Sequence, residues 1–350
     1  MQLRALKMNI SKDLEAEDSI FKDSNILITG GTGSIGLELT KALLKKKPKK
    51  ICLFSNDENG LFEAKIMFRD DPEVIYKLGD VRDTQSVERV IKGCDIVFHA
   101  AALKHVTFCE DNPYEAISTN IYGTQNMINS AIKYDVQKFV FISTDKAVNP
   151  ISTMGATKLL GEKLIIDASK RVDRPIFSIV RFGNVLASRG SVVLIFERQV
   201  KRGLPITVTD PEMTRFIMLP SEAAQLVLRA TELAKPGEIF VLKMKAVKIG
   251  DLAEACRDFF AKLYGKDPEN IKIVKIGSNP GEKIHEELMT SYEALNAIET
   301  DQFYIINPSP ERKRHSTNPL SCKGYTSNTA PLLSKKEIVF LLSSLFSNTT

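Results

Sequence analysis

A short apolar run, Asn25-Ile26-Leu27-Ile28-Thr29, leads without a linker into Gly30-Gly31-Thr32-Gly33-Ser34-Ile35-Gly36, and a helical pattern of Leu37, Leu39, Ala42, Leu43 and Leu44 follows. Strand, glycine turn and helix in that order restrict this chain more than any other feature. Glycines at 30, 33 and 36 let the turn close tightly and bring its amides against a ligand, while the helix N-terminus adds unpaired N–H donors and a favourable dipole. A pyrophosphate suits such a cradle, so Gly30, Gly33, Ser34, Ile35 and Gly36 are candidate cofactor contacts. The competing reading is a tight turn with only a structural role, and the strand–turn–helix setting argues against it.

The alternation continues. Strands are predicted at 51–54, 74–78, 95–99, 139–143 and 176–181, with helices near 61–68, 86–92, 113–134 and 154–169. That order predicts an α/β chain: a doubly wound parallel sheet of Rossmann type, covered on both faces, with a smaller C-terminal substrate lobe. Further on, 214–234 reads as loop and helix, 238–243 as strand, 291–297 as helix, 308–335 as an extended surface segment and 335–346 as a last helix. The expected division is an N-terminal extension at 1–23, a dinucleotide-binding domain at 24–184 plus about 214–245, and a substrate-binding lobe and tail at 185–213 plus about 246–346. The extension carries at most a short amphipathic helix, a possible oligomer contact.

At 350 residues the chain can bury a large core, and 43% hydrophobic with 26% charged residues is ordinary for a globular protein. A net charge of +5 gives no reason to expect nucleic acid. The lysines between 45 and 50 read as a solvated helix C-terminus. Cys52, Cys94, Cys109, Cys256 and Cys322 are scattered, as in a reduced compartment, and Cys52 and Cys94 read as small hydrophobes. His99, His105, His285 and His315 show no ligand clustering, so no metal is expected. No run approaches the ~20 apolar residues of a membrane span, and residues 1–23 lack the apolar core of a secretory signal. A cytoplasmic protein is expected.

Gly79-Asp80-Val81 closes the third strand, where Asp80 would reach an adenine amine beside Val81; Ala100-Ala101-Ala102 closes the fourth, where small side chains let the backbone approach a cofactor. After the second strand an acid would signal NAD and an arginine NADP. The run is Ser55-Asn56-Asp57-Glu58, and Ser55 and Asn56 are neither, so NAD and NADP both stay open.

A second constellation lies past the strand at 139–143: Thr144-Asp145-Lys146, with Lys158 twelve residues further on in Met154-Gly155-Ala156-Thr157-Lys158. Taken alone, an Asp-Lys pair is a solvated surface turn. Downstream of a nucleotide loop, it suits a reaction that needs a hydride acceptor and a proton removed next to a carbonyl.

These motifs, together with His99–Val106, Asn120–Thr124, Arg181–Val185, Thr207–Phe216 and Pro280–Leu288, resemble the extended short-chain dehydrogenase/reductases. Within them the chain is similar to the polysaccharide-biosynthesis branch that contains the UDP-N-acetylglucosamine 4,6-dehydratases. The resemblance runs from Ser24 to about Leu345. Three positions depart from it: Met154 replaces the superfamily's catalytic tyrosine, as in some dehydratases of this branch; Asn56 replaces a frequent arginine; and Asn279 stands where an arginine often precedes Pro-Gly-Glu-Lys.

The resemblance implies a UDP-sugar substrate, a tightly bound NADP or NAD recycled each turnover, and a homo-oligomer, dimer or higher. Hydride leaves carbon 4 of UDP-N-acetylglucosamine, water is lost across carbons 5 and 6, and hydride returns to carbon 6, with carbon 5 epimerised or not. Lys146 is the candidate base at carbon 5, provided burial and cations bring its pKa toward neutrality. Asp145 is the candidate acid at the 6-hydroxyl, which demands that it hold a proton against the pull of Lys146. Thr144 would bond the 4-oxygen, and Lys158 would orient the nicotinamide ribose. The 4-hydroxyl proton would leave through water on Lys158 or through Asp145. Met154 would only pack. Asn184 and Arg189 are candidate UDP-phosphate contacts, a structural cap being the other reading of Asn184; Lys104, Arg215 and Glu282 are candidate substrate contacts. Two alternatives remain: a UDP-sugar 4-epimerase, which needs no base at carbon 5, and a non-catalytic dinucleotide-binding scaffold, which has no need of Thr144, Asp145, Lys146 and Lys158 together.

Overall fold

The computed structural model describes residues 19–307 and 324–346. Six parallel strands carry the fold: β1 (Asn25–Thr29), β2 (Lys50–Ser55), β3 (Val74–Leu78), β4 (Ile96–His99), β5 (Lys138–Thr144) and β6 (Ile176–Phe182). β4 is buried along its whole length, and β1, β2, β5 and β6 are buried except at end residues, because helices cover both faces. They lie in the order β3-β2-β1-β4-β5-β6. Chain direction across the sheet therefore reverses between β1 and β4, and their carboxyl ends open the crevice where ligands bind in this architecture.

Ile239–Leu242 extends the sheet beside β6 in parallel, and Phe303–Ile306 and Ala297–Glu299 close that edge antiparallel. The stretch 246–346, expected to lie wholly in the smaller lobe, thus returns a hairpin to the main sheet: Ala297, Phe303 and Ile306 bury their side chains in the main core. Likewise Phe21, expected in the extension, packs against Phe98 at 6.4 Å between ring centroids and belongs to that core. The amphipathic helix expected before it, Cys322 and most of the extended segment at 308–335 lie outside the described residues.

A second core gathers Leu186, Phe196, Ile206, Leu252, Phe260 and Leu342. Its elements are the helices Val192–Lys201, Ile249–Leu263 and Lys335–Phe346 with short strands at Ile206–Val208 and Ile273–Lys275. Thr214–Met218, read from sequence as loop, is a strand paired with Lys245–Lys248 and Asn184–Val185. All of its residues but Arg215 are buried, and Pro211 before it with Pro220 after it favoured the loop reading.

The long helix expected at 113–134 is broken into Pro113–Ile117, a π turn at Ser118–Tyr122 and Gly123–Lys133. The wider turn holds the buried Asn120, whose amide accepts from Leu103 N at 2.8 Å and donates to Leu103 O at 3.0 Å and Thr157 Oγ1 at 2.9 Å. That one side chain ties the loop after β4 to the helix Thr153–Arg171, which carries Met154 and Lys158.

Candidate active site

A cleft of about 650 Å³ runs along the carboxyl ends of β1, β4 and β5, and Gly30, Gly33, Ala101, Thr144, Lys146 and Lys158 all line it. Gly30 has φ of +63°, and a Cβ there would sit 2.8 Å from Ala101 N, so only glycine lets the turn lie against the loop after β4. A Cβ on Gly36 would meet the carbonyls of Gly30 and Gly31 at 2.7 Å. Gly33 differs: a Cβ there meets only Gly30 O, at 3.1 Å, which leaves its outer face open to the cleft. Gly33 also caps the helix Ser34–Leu44 without any side-chain hydrogen bond, and no acid lies in the first turn. Unpaired amides and an uncompensated dipole therefore face the cleft, and these residues fit a dinucleotide pyrophosphate.

At the adenosine end, Ser55 is buried and its hydroxyl is shared with Thr32 Oγ1 at 3.0 Å and Asp57 N at 3.1 Å, a role internal to the loop. Asn56 donates to Asp80 Oδ2 at 3.1 Å, and Arg82 grips the same carboxylate, Nη2 to Oδ2 at 2.7 Å. Burial pushes the Asp80 carboxyl up, but these hydrogen bonds outweigh it and hold it below its ordinary range. Ile35, Val81 and Ala100 line the cleft as expected.

Arg189 corrects the sequence reading. Its guanidinium does not turn toward the sugar side; it pairs with Glu63 Oε2 at 2.7 Å and Asp57 Oδ2 at 3.4 Å, beside the end of β2. Its backbone N donates to Ser34 Oγ at 3.0 Å, and its carbonyl accepts from Lys104 Nζ at 2.8 Å. The segment after Val185 thus crosses the glycine loop, and proximity to two carboxylates decides where the arginine points. Asn184 lines the cleft and is exposed.

At the other end, β5 delivers Thr144 and the turn Asp145–Ala147. Asp145 is fully buried: its Oδ1 accepts from Thr144 Oγ1 at 2.8 Å and Lys146 Nζ at 3.0 Å, and its Oδ2 has no hydrogen-bond partner. The Thr144 hydroxyl proton is spent on Asp145, so in this arrangement it is not free to meet a sugar oxygen. Lys146 Nζ has a second carboxylate, Glu286 Oε1, at 3.3 Å, and Arg215 Nε lies 3.8 Å from that oxygen. Burial alone would pull the Lys146 ammonium down; Asp145 and Glu286 outweigh it and hold it above its ordinary range, with Arg215 opposing them. The expected drop toward neutrality is overturned because two anions, not cations, flank the amine.

Burial pushes the Lys158 amine down, to about 7, with Glu162 pulling the other way. Its Nζ donates to Ile142 O at 2.6 Å and sits 3.8 Å from the Phe141 ring centroid. Met154 is buried against Cys109, Ala116 and Val106 and lines the cleft near both lysines.

Sequence reasoning missed Glu286, buried with one oxygen unpartnered, and chose Glu282 from the same motif. Glu282 accepts instead from Asn279 N at 3.3 Å and Asn279 Nδ2 at 3.2 Å, a local turn away from the cleft. Lys283 donates to Val148 O at 2.5 Å, and His285 Nδ1 meets Thr214 Oγ1 at 2.9 Å; both bind the motif to its neighbours. Glu286 and Leu288 are buried with the half-buried Glu287 between them, whereas Ile284 and His285 are exposed. Arg215 does not line the cleft; it donates to Thr214 O and Ile284 O behind Glu286. Among the described residues no cluster of metal-ligating side chains occurs, and no helix is long and apolar enough to cross a membrane.

The polysaccharide biosynthesis protein family matches residues 26–308. A Methanocaldococcus jannaschii relative named an uncharacterized membrane protein is 47% identical over 93% of this chain and 96% of its own. The Campylobacter jejuni UDP-N-acetylglucosamine 4,6-dehydratase (inverting) is 38% identical over 92% of this chain and 98% of its own. A Rickettsia bellii protein named UDP-glucose 4-epimerase is 42% identical over 82% and 84%. Pen from Bacillus thuringiensis superposes with a TM-score of 0.87 at 44% identity, covering 93% of this chain and 98% of that one. Fold, cleft and relatives agree: the chain belongs to the polysaccharide biosynthesis protein family, within the extended short-chain dehydrogenase/reductases that include nucleotide-sugar dehydratases and epimerases.

Proposed function

We propose that the protein is a UDP-N-acetylglucosamine 4,6-dehydratase. One observation carries the reading: at the carboxyl end of β5, Lys146 lines the cleft that begins at the glycine loop, and its amine contacts the fully buried Asp145 carboxylate, which is not itself part of the lining, at 3.0 Å. A dehydration across carbons 5 and 6 needs an acid and a base on adjacent atoms, and this pair supplies both.

Gly30, Gly33 and Gly36 with the helix N-terminus would hold the pyrophosphate of a nicotinamide dinucleotide, and Lys158 lines the same cleft. That cofactor, when bound, supplies the hydride acceptor for carbon 4 and the hydride donor for carbon 6. Two cations line the adenosine end, Arg82 and Arg189, and each already pairs with two carboxylates, which favours NAD over a dinucleotide with an added phosphate.

Lys158, pushed down to about 7, accepts the 4-hydroxyl proton directly or through a water, a role that Met154 cannot fill. A proton then passes from the Lys146 ammonium to the Asp145 carboxylate, giving a neutral amine and a neutral acid. The amine takes the carbon 5 proton, and the acid gives its proton to the departing 6-hydroxyl, which leaves as water. Lys146 ends the elimination as ammonium and Asp145 as carboxylate; as hydride returns to carbon 6, carbon 5 takes a proton from solvent and Lys158 releases the 4-hydroxyl proton to solvent, which closes the balance. The contrary demands on the two residues are met by treating them as one titrating unit.

Incubation with UDP-N-acetylglucosamine in deuterated water tests the reading. A 6-deoxy-4-keto product with solvent deuterium at carbon 5 is expected. The 4-epimer, the outcome that the rickettsial relative's name favours, would replace it with the epimerase reading.

A further inference from the structure

Lys146 is not held by Asp145 alone. Its Nζ lies between Asp145 Oδ1 at 3.0 Å and Glu286 Oε1 at 3.3 Å, two carboxylates from segments far apart in sequence. Asp145 comes from the turn after β5, whereas Glu286 comes from the segment preceding the strand Glu287–Met289. That segment is pinned: Glu286 N donates to Ser327 Oγ at 2.9 Å, Thr214 N to Ile284 O at 3.0 Å, and the buried Arg181 reaches Leu288 O at 3.3 Å. Glu286 is 2% exposed, yet its Oε2 has no hydrogen-bond partner. Leaving a carboxylate oxygen buried and unpaired is costly, so the fold tolerates it only where the charge has use.

We propose that Glu286 is a positioning residue for Lys146, the C-terminal segment's half of a clamp that fixes the amine against Asp145 and balances its charge while the site is at rest. With Arg215 at 3.8 Å from the same oxygen, the cluster holds two anions and two cations in alternation, Asp145, Lys146, Glu286 and Arg215. When a proton passes from Lys146 to Asp145, Glu286 and Arg215 are left as a neutral pair, so the transfer strands no net charge in the interior. The charged groups facing Lys146 are Asp145 on its own turn, Glu286 on the adjoining segment and Arg215 on the strand Thr214–Met218; Lys158, on the helix Thr153–Arg171, faces Glu162. The use of the amine as a base rests on the dehydratase reading, whereas the clamp does not.

Competitive acetylation of the full chain across a pH series, read at Lys146 by mass spectrometry, measures the amine without any turnover. Glu286→Gln keeps the side-chain shape and removes an anion that favours the ammonium, so the Lys146 labelling midpoint is expected to move to lower pH than in the parent. Arg215→Gln removes the opposing cation and should move it to higher pH, and it serves alone if Glu286→Gln does not fold. Midpoints that stay at the parent value would overturn the clamp. Product analysis of the parent enzyme separates the two ideas: no dehydration with shifted midpoints defeats the dehydratase reading and leaves the clamp standing.

Discussion

Lys146 Nζ donates to Asp145 Oδ1 at 3.0 Å, and the other oxygen of that fully buried carboxylate has no partner. In the proposed dehydratase, acid and base form one unit, and removing either should remove both functions. Lys146→Ala should cut dehydration by about 10²–10⁴ while dinucleotide binding persists, since the residue is no part of the glycine cradle. Asp145→Asn should lose a similar amount, and the double variant little more. Steady-state rates and nucleotide content of the purified variants check this; near-normal turnover by Lys146→Ala would remove it as the base.

Gly33 and Gly36 should separate binding from folding. A side chain at Gly33 meets only Gly30 O but projects where a pyrophosphate would lie, so Gly33→Val should fold and lose the dinucleotide. At Gly36 two carbonyls stand 2.7 Å from any Cβ, so Gly36→Val should lower Tm. Thermal melting and the nucleotide released on denaturation measure the two effects.

The pH dependence follows from Lys158. Burial places its amine at about 7, so it is an ammonium below that pH and a free base above it. Only the free base accepts the 4-hydroxyl proton. kcat/KM should therefore rise as pH passes upward through about 7 and then level, and Lys158→Ala should be severely impaired at every pH. A profile flat from about pH 6 to 8 would take this role from Lys158.

Much of this was legible in the chain. The strand–glycine–helix passage and the alternation after it were, because buried parallel strands read as short apolar runs and β1, β3 and the last helix declare their ends. Thr144, Asp145 and Lys146 stand together in the sequence at the end of one strand, and Lys158 reaches the cleft that Thr144 and Lys146 line from the helix that follows. Arg189 and Glu286 were not legible, because each sits on an irregular segment whose side-chain direction depends on a distant partner, Glu63 for Arg189 and Lys146 for Glu286, whereas Glu282 is held in a local turn by Asn279. The Lys146 charge state failed for the same cause, since one of its two anions is 140 residues away in sequence.

Met154 tests whether the missing tyrosine matters. It is buried against Cys109 and Ala116, so Met154→Ala should cost stability, roughly 2–5 kcal/mol, more than chemistry. Met154→Tyr should not raise turnover, because the phenol must fit a space filled by a thioether and Lys158 already serves the proton. Rates measured beside melting curves decide, and a large gain from tyrosine would mark the chain as an impaired tyrosine-type enzyme.

The most direct measurement follows the hydrogen on carbon 4. UDP-N-acetylglucosamine deuterated there is incubated with the enzyme in ordinary water, and the product is read by NMR and mass spectrometry. Internal redox chemistry predicts the deuterium at carbon 6 of a 6-deoxy-4-keto sugar within a single turnover. Deuterium found again at carbon 4, on a product that keeps its 6-hydroxyl, would contradict the dehydratase and make the protein an epimerase.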